Sequence, residues 1–207
     1  PWIASLSVLL VAVQGGLGAL TVTHLLASSM VTAHLATALL LVVLISSLDQ
    51  SLSLPSSQGP RPLWWVLLPL VPTTLVLAQC VLGGAMASQW AVDHCFTAAQ
   101  QCEWVLRHRQ LALPAALSVV GLAGIALLSP LADGLFKGLA SVAVCLVGLQ
   151  VSLGLLTLHW QLQVPAITIG HQFLAALLVA ILGALCGRSL HSGRQRSDIP
   201  FLEVRCG

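Results

Sequence analysis

Three histidines, His34, His108 and His171, recur in one sequence setting. Gln14, Leu17 and Gly18 precede His34; Gln79, Leu82 and Gly83 precede His108; Gln150, Leu153 and Gly154 precede His171. Each block reads Gln-x-x-Leu-Gly, leaves an apolar stretch, and is followed by a histidine where the chain turns apolar again. An ionisable side chain in such a stretch is costly unless something specific satisfies it. One such imidazole is readily read as a hydrogen-bonding residue between helices. Recurrence at one depth points instead to a shared ligand. Two imidazoles on facing helices suit axial ligation of a haem iron, with the porphyrin standing in the core of a bundle. Among the other histidines, His24 and His159 fall near the polar connections, His94 lies in a long polar loop and His191 in the tail, where solvated roles are favoured.

The elements that must carry these residues are membrane spans. The 207-residue chain is 57% hydrophobic and only 7% charged, with a mean hydropathy of +0.98. A soluble chain carries about 25% charged residues, so this one cannot clothe its surface in polar groups. A net charge of +2 and the absence of basic runs interleaved with aromatics exclude a nucleic-acid partner. Six apolar segments, near 2–22, 30–48, 63–87, 111–128, 138–158 and 166–187, are each long enough to cross a hydrocarbon core of about 30 Å. On this reading His108 stands just before the fourth segment. Residues 49–62 and 189–207 form polar connecting and terminal stretches. Placing the tail inside puts Arg61, Lys137, Arg188, Arg194, Arg196 and Arg205 on the cytoplasmic side and only Arg107 and Arg109 opposite.

The segments repeat. Gln14, Leu17, Gly18, Leu20 and Thr21 match Gln150, Leu153, Gly154, Leu156 and Thr157 at one offset of 136, and His34 matches His171 after a one-residue slip. The two copies run in the same direction, so the expected relation is a rotation about the membrane normal. Gly15, Gly16, Gly18, Gly83, Gly84, Gly148 and Gly154 would admit a flat macrocycle or simply a neighbouring helix. Trp90, Trp104 and Trp160 fit an outer aromatic belt, and Trp64 and Trp65 an inner one. A transporter built on parallel repeats would place its polar residues at mid-membrane; histidines near one end disfavour it.

The blocks "QGGLGALTV" and "QVSLGLLTL", with "VTAHLATALL", "TIGHQFLAALL" and "ASQWAVDHC…CEWVLRHR", together resemble haem A synthase, over nearly the whole chain up to Arg188. That family oxidises a methyl group of haem O to the formyl group of haem A for terminal oxidases. Its fold is all-α: eight transmembrane helices in two pseudo-symmetric four-helix bundles, of which six helices would be present here. The resemblance implies that 1–48 is the second half of a substrate-haem bundle, 49–62 a cytoplasmic linker, 63–188 the bundle holding a haem b cofactor and 189–207 a cytoplasmic tail. It implies that His108 and His171 ligate the haem b iron and that His34 ligates the substrate haem. The partner of His34 and a catalytic glutamate are expected upstream of residue 1, so the chain alone is expected to be inactive. Cys95 and Cys102 match the family's outer cysteine pair, and a disulfide is expected there rather than free thiols. Arg109, which follows its histidine directly as in the family, and Arg107 are expected to pair with haem propionates, the alternative being interfacial loop cations. Implied partners are haem O, haem O synthase and factors of terminal oxidase assembly; the implied location is a bacterial inner or thylakoid membrane. A b-type electron-transfer cytochrome is the other reading of these residues.

Overall fold

The structure is a computed structural model, and it describes residues 2–53, 61–86, 103–160 and 163–190. Among these the fold is all-α: α1 Trp2–Thr23, α2 Ser28–Ser53, the short α3 Leu63–Leu67, α4 Leu70–Met86, α5 Glu103–Leu128, α6 Gly134–His159 and α7 Pro165–Ser189. With α3 and α4 joined end to end, six helical stretches are long and apolar enough to span a membrane.

Local chemistry sets the ends of these helices. Pro165 occupies the first turn of α7, where its missing N–H costs nothing. Asp133 caps α6 by accepting the Phe136 N–H at 2.7 Å. Leu68 and Pro69 separate α3 from α4, since proline cannot donate to the preceding turn. Between α1 and α2 the chain reverses through Leu25 and Leu26, whose φ angles of 50° and 61° lie in the left-handed region that costs non-glycine residues roughly 1–2 kcal/mol each.

Helix α5 begins at Glu103, not near residue 111. His108 is therefore inside the helix and not before it. Hydropathy ends where polar side chains begin, but the backbone ladder continues through "EWVLRHRQ". The Glu103 carboxylate suits the positive end of the helix and pairs with Arg107 one turn on, at 2.5 Å. Likewise α2 continues to Ser53, past the expected boundary at 48.

Helices α4, α5, α6 and α7 close into a ring, each packed on its two neighbours, while α2 lies along α7 and α4, and α1 packs mainly on α2. The core of the ring is Val119, Leu122, Ala126, Ala140, Ala143, Val179, Leu182 and Leu185. Small residues let the α2–α7 pair come very close. A Cβ on Gly183 would sit 2.9 Å from the Val43 backbone, and one on Gly187 would strike the Ser47 backbone. Ser47 Oγ donates to the Gly183 carbonyl across this contact at 2.7 Å. This is the small-xxx-small packing of membrane helices.

One end of the ring carries a polar cluster. Arg188, only 8% exposed, donates to the Asp133 carboxylate at 2.6 Å and to Gln50 at 2.8 Å. Arg61 bonds the Leu131 carbonyl and stands 5.8 Å from the Trp65 ring centroid. Trp65 itself is fully buried against Phe136, with ring centroids 5.0 Å apart. It belongs to the core, whereas its neighbour Trp64 is half exposed as expected of a belt residue.

Candidate functional site

At the opposite end, each Gln-x-x-Leu-Gly block meets the histidine that follows it. The pairing is made three times, by α1 with α2, by α4 with α5, and by α6 with α7. Gln14 Nε2 lies 3.2 Å from His34 Nε2, Gln79 Nε2 lies 3.2 Å from His108 Nε2, and Gln150 Nε2 lies 3.3 Å from His171 Nε2. Glutamine and glycine are four residues apart, so they share a helix face one turn from each other. The ring rests on that glycine: a Cβ on Gly18, Gly83 or Gly154 would stand 3.3, 3.1 or 3.1 Å from the histidine Cε1. Each histidine occupies the second turn of its helix. The three units are thus built alike.

Their surroundings differ. His108 and His171 line one cavity of about 310 Å³ inside the ring, together with Gln79, Gly83, Gln150 and Gly154. That volume is at the lower end of the roughly 300–1,000 Å³ typical of small-molecule sites. Leu35 and Leu39 of α2 form part of its apolar wall, and Arg109, Thr168 and Gln172 are its polar lining beside the histidines. His34 does not line this cavity. It lies with Gln14 and Thr37, whose hydroxyl is 2.5 Å from Gln14 Oε1.

Several buried polar atoms here have no partner among the described residues: Nδ1 of His34, His108 and His171, and Oε1 of Gln79 and Gln150. Orphaned buried polar atoms are rare; here the orphan is Nδ1, while Nε2, the other nitrogen through which an imidazole can hold a metal, meets the glutamine amide. Donor type, flat glycine-floored walls and apolar lining together fit a planar macrocycle held by imidazoles. No group of three or more His, Cys, Asp or Glu side chains that could cage a bare metal ion occurs among the described residues.

Of the other residues singled out in the sequence, Arg109 reaches the cavity, while Arg107 is paired to Glu103 on an exposed face. Gly15, Gly16 and Gly148 have nothing near a would-be Cβ, and Gly84 meets Leu35. Cys80 lines the cavity, Cys186 is buried beside the Thr73 hydroxyl at 3.3 Å, and Cys145 is exposed. Cys95, Cys102, Trp90, His94 and the tail cations Arg194, Arg196 and Arg205 lie outside the described residues. The glutamine–histidine bond and the glycines of the α2–α7 contact were not anticipated from sequence. The recurrent four-residue Gln-to-Gly spacing was the available signal for the first; nothing distinguished Gly183 and Gly187 from other apolar-segment glycines.

A family model described as cytochrome oxidase assembly protein, COX15-CtaA, matches residues 1–182. No curated protein and no solved structure matches the chain.

Proposed function

The chain belongs to the COX15-CtaA family of cytochrome oxidase assembly proteins, and from that premise we propose that it is a haem A synthase, with a haem b site between His108 and His171. The observation that carries this reading is the single cavity onto which both imidazoles open, each lying on a glycine that leaves room for a flat ring. Haem b, when bound, supplies one-electron redox chemistry tuned by its axial ligands.

The chain's own residues have separate tasks in this proposal. His108 and His171 would hold the iron, one from each hairpin of the ring. Gly83 and Gly154 leave the space a side chain would fill. Leu35, Leu39, Val76 and Val147 keep water from the macrocycle. Arg109, at the cavity beside its histidine, would pair with a propionate through charge-assisted hydrogen bonds; Arg107, already held by Glu103, would have to give up that pair to do the same. His34, which meets α1 and does not line the cavity, would serve the substrate haem O. Residues 63–188 would then be the cofactor bundle and 1–48 the substrate side. Haem O synthase and oxidase assembly factors are the expected partners.

Two measurements test this. The purified chain should carry one low-spin b-type haem, and the natural protein containing it should convert haem O to haem A, read by chromatography of extracted haems. A protein that holds haem b but leaves haem O unchanged would be an electron-transfer cytochrome. A chain that takes up no haem would overturn both readings.

A further inference from the structure

The glutamines of the repeated unit have no role in ligating iron, yet each touches the ring nitrogen a metal would need. A neutral imidazole donates from one nitrogen and accepts at the other, and its neighbours decide which is which. At His108 the choice can be read. The Gln79 amide nitrogen is 2.9 Å from the His108 carbonyl oxygen and 3.2 Å from His108 Nε2. A carbonyl only accepts, so the NH2 end of the amide must face it. The second hydrogen of the same NH2 is left for Nε2, which must then be the accepting nitrogen. The ring proton therefore sits on Nδ1, a buried atom that no described residue meets. Gln150 repeats the contact with His171 Nε2 at 3.3 Å, again with Nδ1 orphaned. Gly83 and Gly154 make the contact reachable. A Cβ there would stand about 3.1 Å from Cε1 and push the ring off the face that its glutamine shares.

We infer that Gln79 and Gln150 are positioning residues that hold His108 and His171 in the tautomer with a bare Nε2, satisfying that lone pair until a haem iron takes it. The inference rests on the reading of the cavity as a haem site. The glycine seats the ring and the glutamine selects its tautomer. A buried imidazole without this donor would be free to carry its proton on Nε2, where no lone pair remains for a metal.

Substitutions of opposite character separate this role from packing. Gln79→Leu and Gln150→Leu remove the donor and add no acceptor. Gln79→Glu and Gln150→Glu keep almost the same shape, but an ionised carboxylate only accepts and so favours a proton on Nε2. When the haem-free chain in detergent is titrated with haemin, the Leu variants, free to take either tautomer, should keep the low-spin spectrum with uptake lowered only severalfold at most. The Glu variants should lose uptake by about tenfold, the scale of a buried hydrogen bond turned unfavourable. A packing role makes the opposite demand, because Glu is the closer mimic. Leu variants that lose more haem than Glu variants, or equal uptake in both, overturn the inference. A second measurement needs no variant: histidine nitrogen NMR of the haem-free chain should show His108 protonated on Nδ1 with Nε2 bare, and an Nε2-protonated ring overturns it. A wild-type chain that takes up no haem would instead remove the haem-site reading, while the nitrogen spectrum still decides the tautomer.

Discussion

The α1–α2 hairpin and the α4–α5 and α6–α7 hairpins carry the same Gln, Gly and His unit at nearly the same distances, yet only the latter two share a cavity. The difference is one of company. His108 and His171 open toward each other because α4 to α7 close into a ring, whereas α1 rests mainly on α2 and leaves much of its apolar surface exposed, Val8 at 70% and Val22 at 73%. The units also differ in how their amides are held. Gln14 has the Thr37 hydroxyl and Gln79 has the His108 carbonyl, whereas among the described residues Gln150 meets only His171. At the positions equivalent to Thr37, three residues past each histidine, the cavity helices carry Leu111 and Leu174. Neither leucine lines the cavity; each simply lacks the hydroxyl that closes the Gln14–His34 cluster. A repeated unit is thus a potential ligand, and a facing copy turns it into a site.

The largest expected effect breaks this contrast directly. His108→Ala or His171→Ala should abolish or convert the low-spin haem spectrum of the chain, while His34→Ala should leave it nearly unchanged. Loss of haem in the His34 variant alone would assign the cofactor to the wrong hairpin. Next comes the glycine floor. Gly83→Val or Gly154→Val should displace the ring and reduce haem content at least about tenfold, in line with the 1–3 kcal/mol typical of overpacking. Gly18→Val, on the hairpin without a partner, should leave haem content close to wild type. Equal losses at all three positions would erase the distinction between the hairpins.

A smaller effect concerns the helix that both regions share. Gly187→Ala should destabilise the α2–α7 contact by about 1–3 kcal/mol, because the new Cβ meets the Ser47 backbone and not a movable side chain. Gly148→Ala, which meets nothing, should be neutral or slightly stabilising. Thermal unfolding in detergent reads both, and a neutral Gly187 variant would deny the close approach. The smallest effect lies at the arginine end. Burial pushes the Asp133 carboxyl up, but the Phe136 N–H, the Arg188 hydrogen bond and charge, and the Arg61 charge outweigh it and hold the group below its ordinary range. A carboxyl depressed in the folded state adds stability above its unfolded pKa, and that stability is lost as pH falls through the lower folded value. Asp133→Asn should therefore flatten the acid limb of the stability curve modestly, and an unchanged limb would assign it to other groups.

Much of the candidate site could be read from sequence because it is written in local repetition. The three histidines, their preceding blocks and the six apolar stretches depend on residue type and spacing within one hairpin, and a helix converts spacing into a shared face. What escaped depended on residues far apart in the chain. The start of α5 at Glu103 is the local exception, hidden because hydropathy measures solvent preference and not backbone hydrogen bonding. Trp65 looked like a belt residue until Phe136, from a remote part of the chain, packed against it. The importance of Gly183 and Gly187 exists only once Val43 and Ser47 lie against them, 140 residues away in each case.

By itself, then, the sequence determined that the chain is a set of membrane-spanning helices in repeated hairpins with a histidine near one end of each, because about 20 apolar residues in a row can satisfy their backbone in lipid only as a helix. Tertiary structure decided which histidines face one another. In lipid the helices gain little from apolar contact alone, so their pairing follows from where two surfaces can come close. Gly183 and Gly187 against α2, and the ring closed by α4 to α7, set that pairing. It leaves His108 and His171 on one cavity and His34 outside it.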